Sequence, residues 1–179
     1  MEHLGGGGKR CHIDEGALKY AKNKFNITSM VDIGCGIGGM LALANKHNIS
    51  YKGIDGDPEL AMPSPNFIVH DFRNKFDKEL NNIDLAWSVE FLEHVEEEYM
   101  ENYLAVFRKA KYIICTAAPP GKKGWHHVNC QPVKYWINIF EKEGFKFSEK
   151  HTKEMKRSST MKREFMKKTG MVFINEKID

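Results

Sequence analysis

The chain has 179 residues, 41% hydrophobic and 28% charged, a balance that excludes a disordered or collagen-like polymer and suits one domain over 1–179. Its 27 Lys and Arg against 24 Asp and Glu leave +3, too small a surplus to name a nucleic-acid partner. No apolar run approaches the roughly 20 residues that span a bilayer, the four cysteines (11, 35, 115, 130) lack C-x-x-C spacing and no signal peptide precedes them, so a cytoplasmic protein with reduced thiols and no membrane partner is expected.

Residues 1–11 read as a glycine-rich leader around the run Gly5 to Gly8. Ile13, Ala17, Tyr20, Ala21 and Phe25 recur at helical spacing and predict a helix over 12–25, with Asp14 and Glu15 where the helix dipole favours acids. A short strand over 30–33 runs into Gly34-Cys35-Gly36-Ile37-Gly38-Gly39, and a helix follows over 40–47. A strand over 51–55 ends in the turn Gly56-Asp57-Pro58, and a helix start after it is cut short by Pro63 and Pro65. Strands are expected over 67–71 and 83–88, with helix for most of 89–109. A strand over 112–116 stops at Ala117-Ala118-Pro119-Pro120-Gly121.

Val133, Trp136, Ile137 and Phe140 form the stripe of a helix over 131–143, ending at Gly144. The last strands, 145–147 and 171–174, are expected to form an antiparallel edge hairpin with no helix between them. The insert over 151–170 is basic: between His151 and Lys168, seven Lys and Arg against two Glu give +5. It reads either as a solvated Lys-rich face or as a flap over an anionic substrate, with Ser158 to Met161 as part of a lid or a linker. Alternating strands and helices predict an α/β fold, a mostly parallel sheet covered on both faces.

Three strand ends carry ligand-type chemistry. Asp32-Ile33-Gly34-Cys35-Gly36-Ile37-Gly38 has the form D-x-G-x-G-x-G, a strand-to-helix turn whose glycines permit positive φ and close approach of backbone to a ligand. Asp55, next to Gly56, follows about 20 residues later, where a carboxylate can take both hydroxyls of a ribose. Asp71 closes the third strand, where it can accept from an adenine amino group while Phe72 packs on the ring. An NAD-binding Rossmann domain competes for the glycines, but it predicts G-x-G-x-x-G and a second, substrate domain for which there is no length.

From about Ile13 to Ile174 the sequence resembles the Rossmann-like class I S-adenosylmethionine-dependent methyltransferases. The resemblance implies a seven-stranded sheet of order 3-2-1-4-5-7-6 and S-adenosylmethionine as cofactor, with S-adenosylhomocysteine as product. Asp32, Gly34, Cys35, Gly36 and Gly38 look like the family's first motif, and Asp55 with Gly56 and Asp71 with Phe72 look like its ribose and adenine contacts. Ile83 to Glu90, with Ser88 and Val89, is similar to the family's fourth-strand motif, which implies a place for them beneath the methionine moiety. Ser88-Val89-Glu90-Phe91 stands where amino-methylating DNA enzymes carry (N/D)-P-P-(Y/F), which argues against base methylation of that kind.

The acceptor side centres on Glu90-Phe91-Leu92-Glu93-His94. On a helix beginning near Glu90, residues i, i+3 and i+4 share a face, so Glu90, Glu93 and His94 converge as an O/N site for Mg²⁺, Mn²⁺, Fe²⁺ or Zn²⁺. His127 is expected as the fourth ligand, with His126 as its alternative, since strands four and five open on the same side. In metal-free relatives the same groups only hydrogen-bond or shape the pocket.

The pattern is similar to the catechol-type O-methyltransferases of quinone biosynthesis, to small-RNA 3′-terminal 2′-O-methyltransferases, and, through Trp125 to Pro132, to glycan-linked methyltransferases of phages and algal viruses. The expectation is a metal-assisted O-methyltransferase acting on a sugar hydroxyl of a glycan or glycoconjugate, with Glu93, His94 and His127 as catalytic groups. RNA ribose 2′-O-methylation and a small-molecule catechol acceptor are the alternatives, and a SAM-binding accessory subunit is the non-enzymatic one. Trp125 is placed against a sugar or base face; Cys35 is expected to matter through its backbone and Cys115 as core.

Overall fold

The computed structural model describes residues 3–4, 11–60, 64–81 and 83–178. Seven strands, β1 (Ser29–Ile33), β2 (Ser50–Asp55), β3 (Phe67–Val69), β4 (Ile83–Ser88), β5 (Ala110–Cys115), β6 (Phe145–Phe147) and β7 (Met171–Asn175), join in the order β3-β2-β1-β4-β5-β7-β6. Every pairing is parallel except those of β7, which runs antiparallel to both β5 and β6. This is the sheet order expected from the sequence.

Side chains alternate between two apolar layers because successive strand residues point to opposite faces. On β4, Ala86 faces one layer and Leu85 and Trp87 the other; Ile113 and Ile114 on β5, and Phe173 and Val172 on β7, divide the same way. The first layer is closed by α3 (Met100–Phe107) and α4 (Val133–Lys142), through Tyr103, Leu104, Phe107, Trp136 and Phe140. The second is closed by α1 (Glu15–Phe25), α2 (Met40–Lys46), α5 (Glu149–Ser158) and α6 (Phe165–Thr169). Among the described residues, no helix is long and apolar enough to cross a membrane.

Two segments depart from expectation. The helix expected over most of 89–109 is shortened at its start. Glu90 takes a left-handed φ of 54°, 3₁₀ turns occupy Leu92–His94 and Glu97–Tyr99, and only then does α3 begin. The reason lies in the Glu93 carbonyl, which accepts the amides of Val128 and Asn129 (both 3.0 Å) instead of an amide one turn ahead. The basic insert holds two helices where none was expected. Ser148 caps α5 by accepting from the His151 amide, and burial of Thr152, Met155 and Met166 on one side is enough to seat both helices. Residues 61–63, on the helix start expected before Pro65, and Gly5 to Gly8 of the leader lie outside the described residues; residues 58–60 form a turn.

Asp14 ties the insert to the start of the chain. It is fully buried and caps α1 by accepting from the Ala17 amide (3.0 Å). The same carboxylate accepts from the Thr160 amide (2.9 Å) and the Ser159 hydroxyl (2.5 Å). Gly16 completes the joint: its amide donates to Thr160 Oγ1 (2.9 Å), and a Cβ there would stand 1.9 Å from the Ser158 carbonyl oxygen. Asp14→Ala strands these buried donors, so a loss of about 2 kcal/mol is expected. In a thermal melt this reads as a fall of about 4–8 °C, with Asp14→Asn falling less.

Candidate functional site

A cavity of about 700 Å³ opens at the carboxyl ends of β1, β2 and β4, large enough for a nucleoside-sized ligand and an acceptor group. The turn after β1 is built from three glycines with positive φ, Gly34 (75°), Gly36 (53°) and Gly38 (73°). At Gly34 the need is double, since a Cβ would stand 2.6–2.8 Å from the Phe91 side chain. The amides of Gly34 and Cys35 both donate to the Ile54 carbonyl (2.9 and 3.1 Å), which fastens the turn to β2.

Asp55 sits where β2 ends and accepts from the Gly36 amide (2.7 Å) and the Asp57 amide (3.0 Å), so its carboxylate organises the loops on both sides. Burial raises its pKa, partly offset by those amides. Asp32 is almost wholly buried and accepts from the Tyr51 hydroxyl (3.0 Å). Burial pushes its pKa up to about 7, with the Tyr51 hydrogen bond opposing and the Asp55 charge adding to the rise. Tyr51 escaped the sequence analysis because an alternating strand tyrosine carries no signal beyond core packing.

Asp71 accepts from the Arg73 amide (2.9 Å) and lies 2.8 Å from His3 Nε2. Phe72, expected to stack on a ligand ring, borders the cavity but is only 4% exposed. Its ring packs against Phe76 and Phe91 in the core, which leaves no open face for stacking. Ser88 and Gly38 also differ from expectation. The Ser88 hydroxyl donates to the Ile33 carbonyl (3.1 Å), pinning β4 to β1, and Gly38 packs so tightly on Phe67 that a Cβ would stand 2.2 Å from its ring. Neither residue lines the cavity, whereas Gly34, Cys35, Gly36, Asp55, Gly56 and Val89 do. The Cys35 sulfur is buried against β2, where a Cβ on Gly53 would stand 2.7 Å from it, so its side chain packs as well as its backbone.

On the acceptor side Glu93, His94 and His127 converge, each offering a ligand atom within 4.8 Å of the others. Glu93 is fully buried and neither carboxylate oxygen has a hydrogen-bond partner. Burial first, then the Glu90 charge, pushes its pKa up to about 8, with the amides of Glu93 and Ala118 offsetting only part. His94 is pushed down to about 4 by burial and by the neighbouring imidazoles of His127 and His126, so at neutral pH it is an uncharged base. His127 Nδ1 donates to the Lys122 carbonyl (2.8 Å); a carbonyl only accepts, so this tautomer leaves the lone pair on Nε2. Gly124 makes room for that ring, since a Cβ there would stand 2.1 Å from Nε2.

Two expected ligands are not in this group. With φ at 54°, Glu90 turns toward β5: its amide donates to Thr116 Oγ1 and the Thr116 hydroxyl donates back to its carboxylate (both 2.9 Å). His126, itself at φ 44°, pairs with Glu96 (3.1 Å), the carboxylate that Arg73 also grips. The helical-face argument failed because the backbone at Glu90 is not helical. Thr116, Arg73 and Glu96 were missed, and only the position of Thr116 at the end of a strand could have flagged it.

Residues 31–115 match the family described as a methyltransferase domain. No curated protein sequence matches the chain. Among solved structures, the methyltransferase domain of bacterial CtHen1 is 15% identical, with 89% of this chain and 96% of that one covered at a TM-score of 0.61. The plantazolicin methyltransferase BpumL, solved with a triazolic desmethylPZN analogue and SAH, is 15% identical over 90% and 82% of the two chains, TM-score 0.58. The PH0226 protein of Pyrococcus horikoshii OT3 is 14% identical over 90% and 89%, TM-score 0.61. At these identities the structures show a shared fold. The strand order and the glycine turn give the chain the Rossmann-like methyltransferase fold of these structures, and the family match lies within it.

The raised pKa of Asp32 has a stability consequence. Below about 4 the carboxyl is neutral folded or unfolded; as pH climbs through about 7 the folded state must release a proton it holds more tightly, so stability is lost over that window. Urea unfolding of Asp32→Asn across pH 4–8 is expected to show the variant gaining on the parent by up to about 1.4 kcal/mol per unit, levelling off above pH 7.

Proposed function

We propose that the protein transfers the methyl group of S-adenosylmethionine to a sugar hydroxyl of a glycan or glycoconjugate, with metal assistance at Glu93, His94 and His127. The observation that carries the reading is the Glu93 carboxylate: fully buried, unpartnered, and converging with two imidazoles. An unpaired buried carboxyl is costly, and a cation held between it and the two rings removes that cost. The mixed oxygen and nitrogen donor set suits a small divalent ion. Such an ion supplies Lewis-acid polarisation to a hydroxyl whose pKa is otherwise about 16.

The chain's own groups account for the remaining roles. Asp55, held by the Gly36 and Asp57 amides, accepts from the ribose hydroxyls of the donor, and Asp71 from its adenine amino group. Asp32, Gly34, Gly36 and Val89 border the space left for the methionine end. The family match supports this donor, and BpumL is a relative solved with SAH. The acceptor oxygen attacks the methyl carbon in line with the departing sulfur and its proton passes to bulk water, since the one lone pair of His127, on Nε2, would be spent holding the cation. The positive charge of the sulfonium is lost in that step, and no covalent enzyme intermediate forms.

Asp55→Ala is expected to weaken S-adenosylmethionine binding at least about tenfold by calorimetry, since it removes both acceptor and loop anchor. Glu93→Gln and His94→Ala are expected to lower turnover at least about a hundredfold while donor affinity stays within about threefold. Mn²⁺ or Mg²⁺ should raise the melting temperature of the parent protein and not of Glu93→Gln. Full activity after EDTA, together with no metal-dependent melting shift, removes the metal from this reading.

A further inference from the structure

We infer that the acceptor sugar bears a phosphate, held by Lys122, Lys123, Lys162 and Arg163, which line the same cavity. This rests on the sugar-hydroxyl reading above and narrows it to a phosphate-bearing class.

The acidic and basic groups lining the cavity come from different segments of the fold. Asp32 and Asp55 stand at the ends of β1 and β2, Asp71 just past β3 and Glu90 and Glu96 after β4, whereas the four basic groups come from the β5–α4 and α5–α6 connections. Three aspartates suit a hydroxyl-rich cationic donor, whose single carboxylate does not call for four basic groups. The four basic groups are also unspent. Among the described residues none of them forms an ion pair, and Lys122 only lowers the pKa of nearby Glu90 through its charge. Arg73, the other strongly basic lining residue, is already gripped by Glu96.

A solvated face explains the rest of the +5 segment but not this pair. Lys153 and Lys168 pair with Glu149 and Glu164, Lys156 donates to the Lys168 carbonyl, and none of these three lines the cavity. Lys162 and Arg163 do line it, and they are held there. The buried Asp14 carboxylate fixes Ser159 and Thr160, and Met161 is buried beside the cavity. On the β5–α4 connection the Lys122 carbonyl accepts from His127, so one hydrogen bond links the segment carrying Lys122 to the Glu93, His94 and His127 group. Trp125, 56% exposed on the same loop, offers a flat face for the sugar or an attached base. Three ammonium groups and a guanidinium fork on one cavity offer the donors that a phosphate takes.

The test measures binding first, with SAH-loaded protein followed by tryptophan fluorescence. The probes are a short oligoribonucleotide with a free 3′-terminal diol, a UDP-linked hexose and a phosphate-free oligosaccharide. At least one phosphate-bearing probe is expected to bind about tenfold or more tighter than the neutral one, and which one does so separates a polynucleotide source from a nucleotide-sugar source. The double variants K162A/R163A and K122A/K123A should each remove that advantage, while SAH affinity stays within about twofold. Equal binding of charged and neutral probes overturns the inference, as does an unaffected double variant. Loss of SAH affinity in K162A/R163A also overturns it, because those groups then serve the methionine carboxylate. Turnover with labelled donor tests the parent reading separately: a methyl group placed anywhere but on a sugar oxygen refutes that reading, even where the phosphate preference stands.

Discussion

Parallel pairing of β1 with β2 and β4 makes consecutive strands end at one edge of the sheet, and the cavity follows from that constraint. Each parallel strand must be followed by a crossover, so the chain turns away at the same edge after β1, β2 and β4. The turns are tight because the backbone is used twice. Gly34 and Cys35 bind the end of β2, Gly36 binds Asp55, and Ser88 binds the end of β1. These cross-links lock adjacent strand ends to one another, so the carboxylates they carry are held in fixed positions before any ligand arrives.

That rigidity is obtained at an electrostatic cost that is visible in two places. Asp32 is buried with only the Tyr51 hydroxyl for company, and Glu93 is buried with no hydrogen-bond partner. Both carboxyls are pushed well above the usual carboxylate range, chiefly by burial. Groups of this kind cluster where chemistry is done, because a charge that is expensive in the empty site is stabilised when a complementary group binds. The contrast with Asp14 is instructive. Asp14 is equally buried, but its oxygens are met by two amides and two hydroxyls, and its work is to hold one connection against α1.

The acidic and basic groups of the cavity are carried by different means. The aspartates stand at strand ends or just past them, where the sheet dictates the geometry. The basic groups are carried on connections that reach the cavity from further away, anchored through Glu93 to the Val128 and Asn129 amides and through Asp14 to Ser159 and Thr160. A fold built this way can keep its donor chemistry while its acceptor loops change, since the anchors are few and lie outside the sheet.

The antiparallel final pair and the glycine turn were legible in the sequence because each rests on local rules, alternation and turn chemistry, whereas the sheet order came from the family resemblance. The convergence of Glu93, His94 and His127 was legible in part. Its members were named, but the helix invoked to bring them together is absent, and the cluster forms because the Glu93 carbonyl binds the loop carrying His127. What only the tertiary structure decided concerns partners distant in sequence. Thr116 turns Glu90 away, Glu96 takes His126, Phe76 and Phe91 take the faces of Phe72, and Asp14 sets Lys162 and Arg163 at the cavity. In each case two groups compete for the same donor, acceptor or ring face, and sequence spacing carries no information about which competitor stands nearer in space.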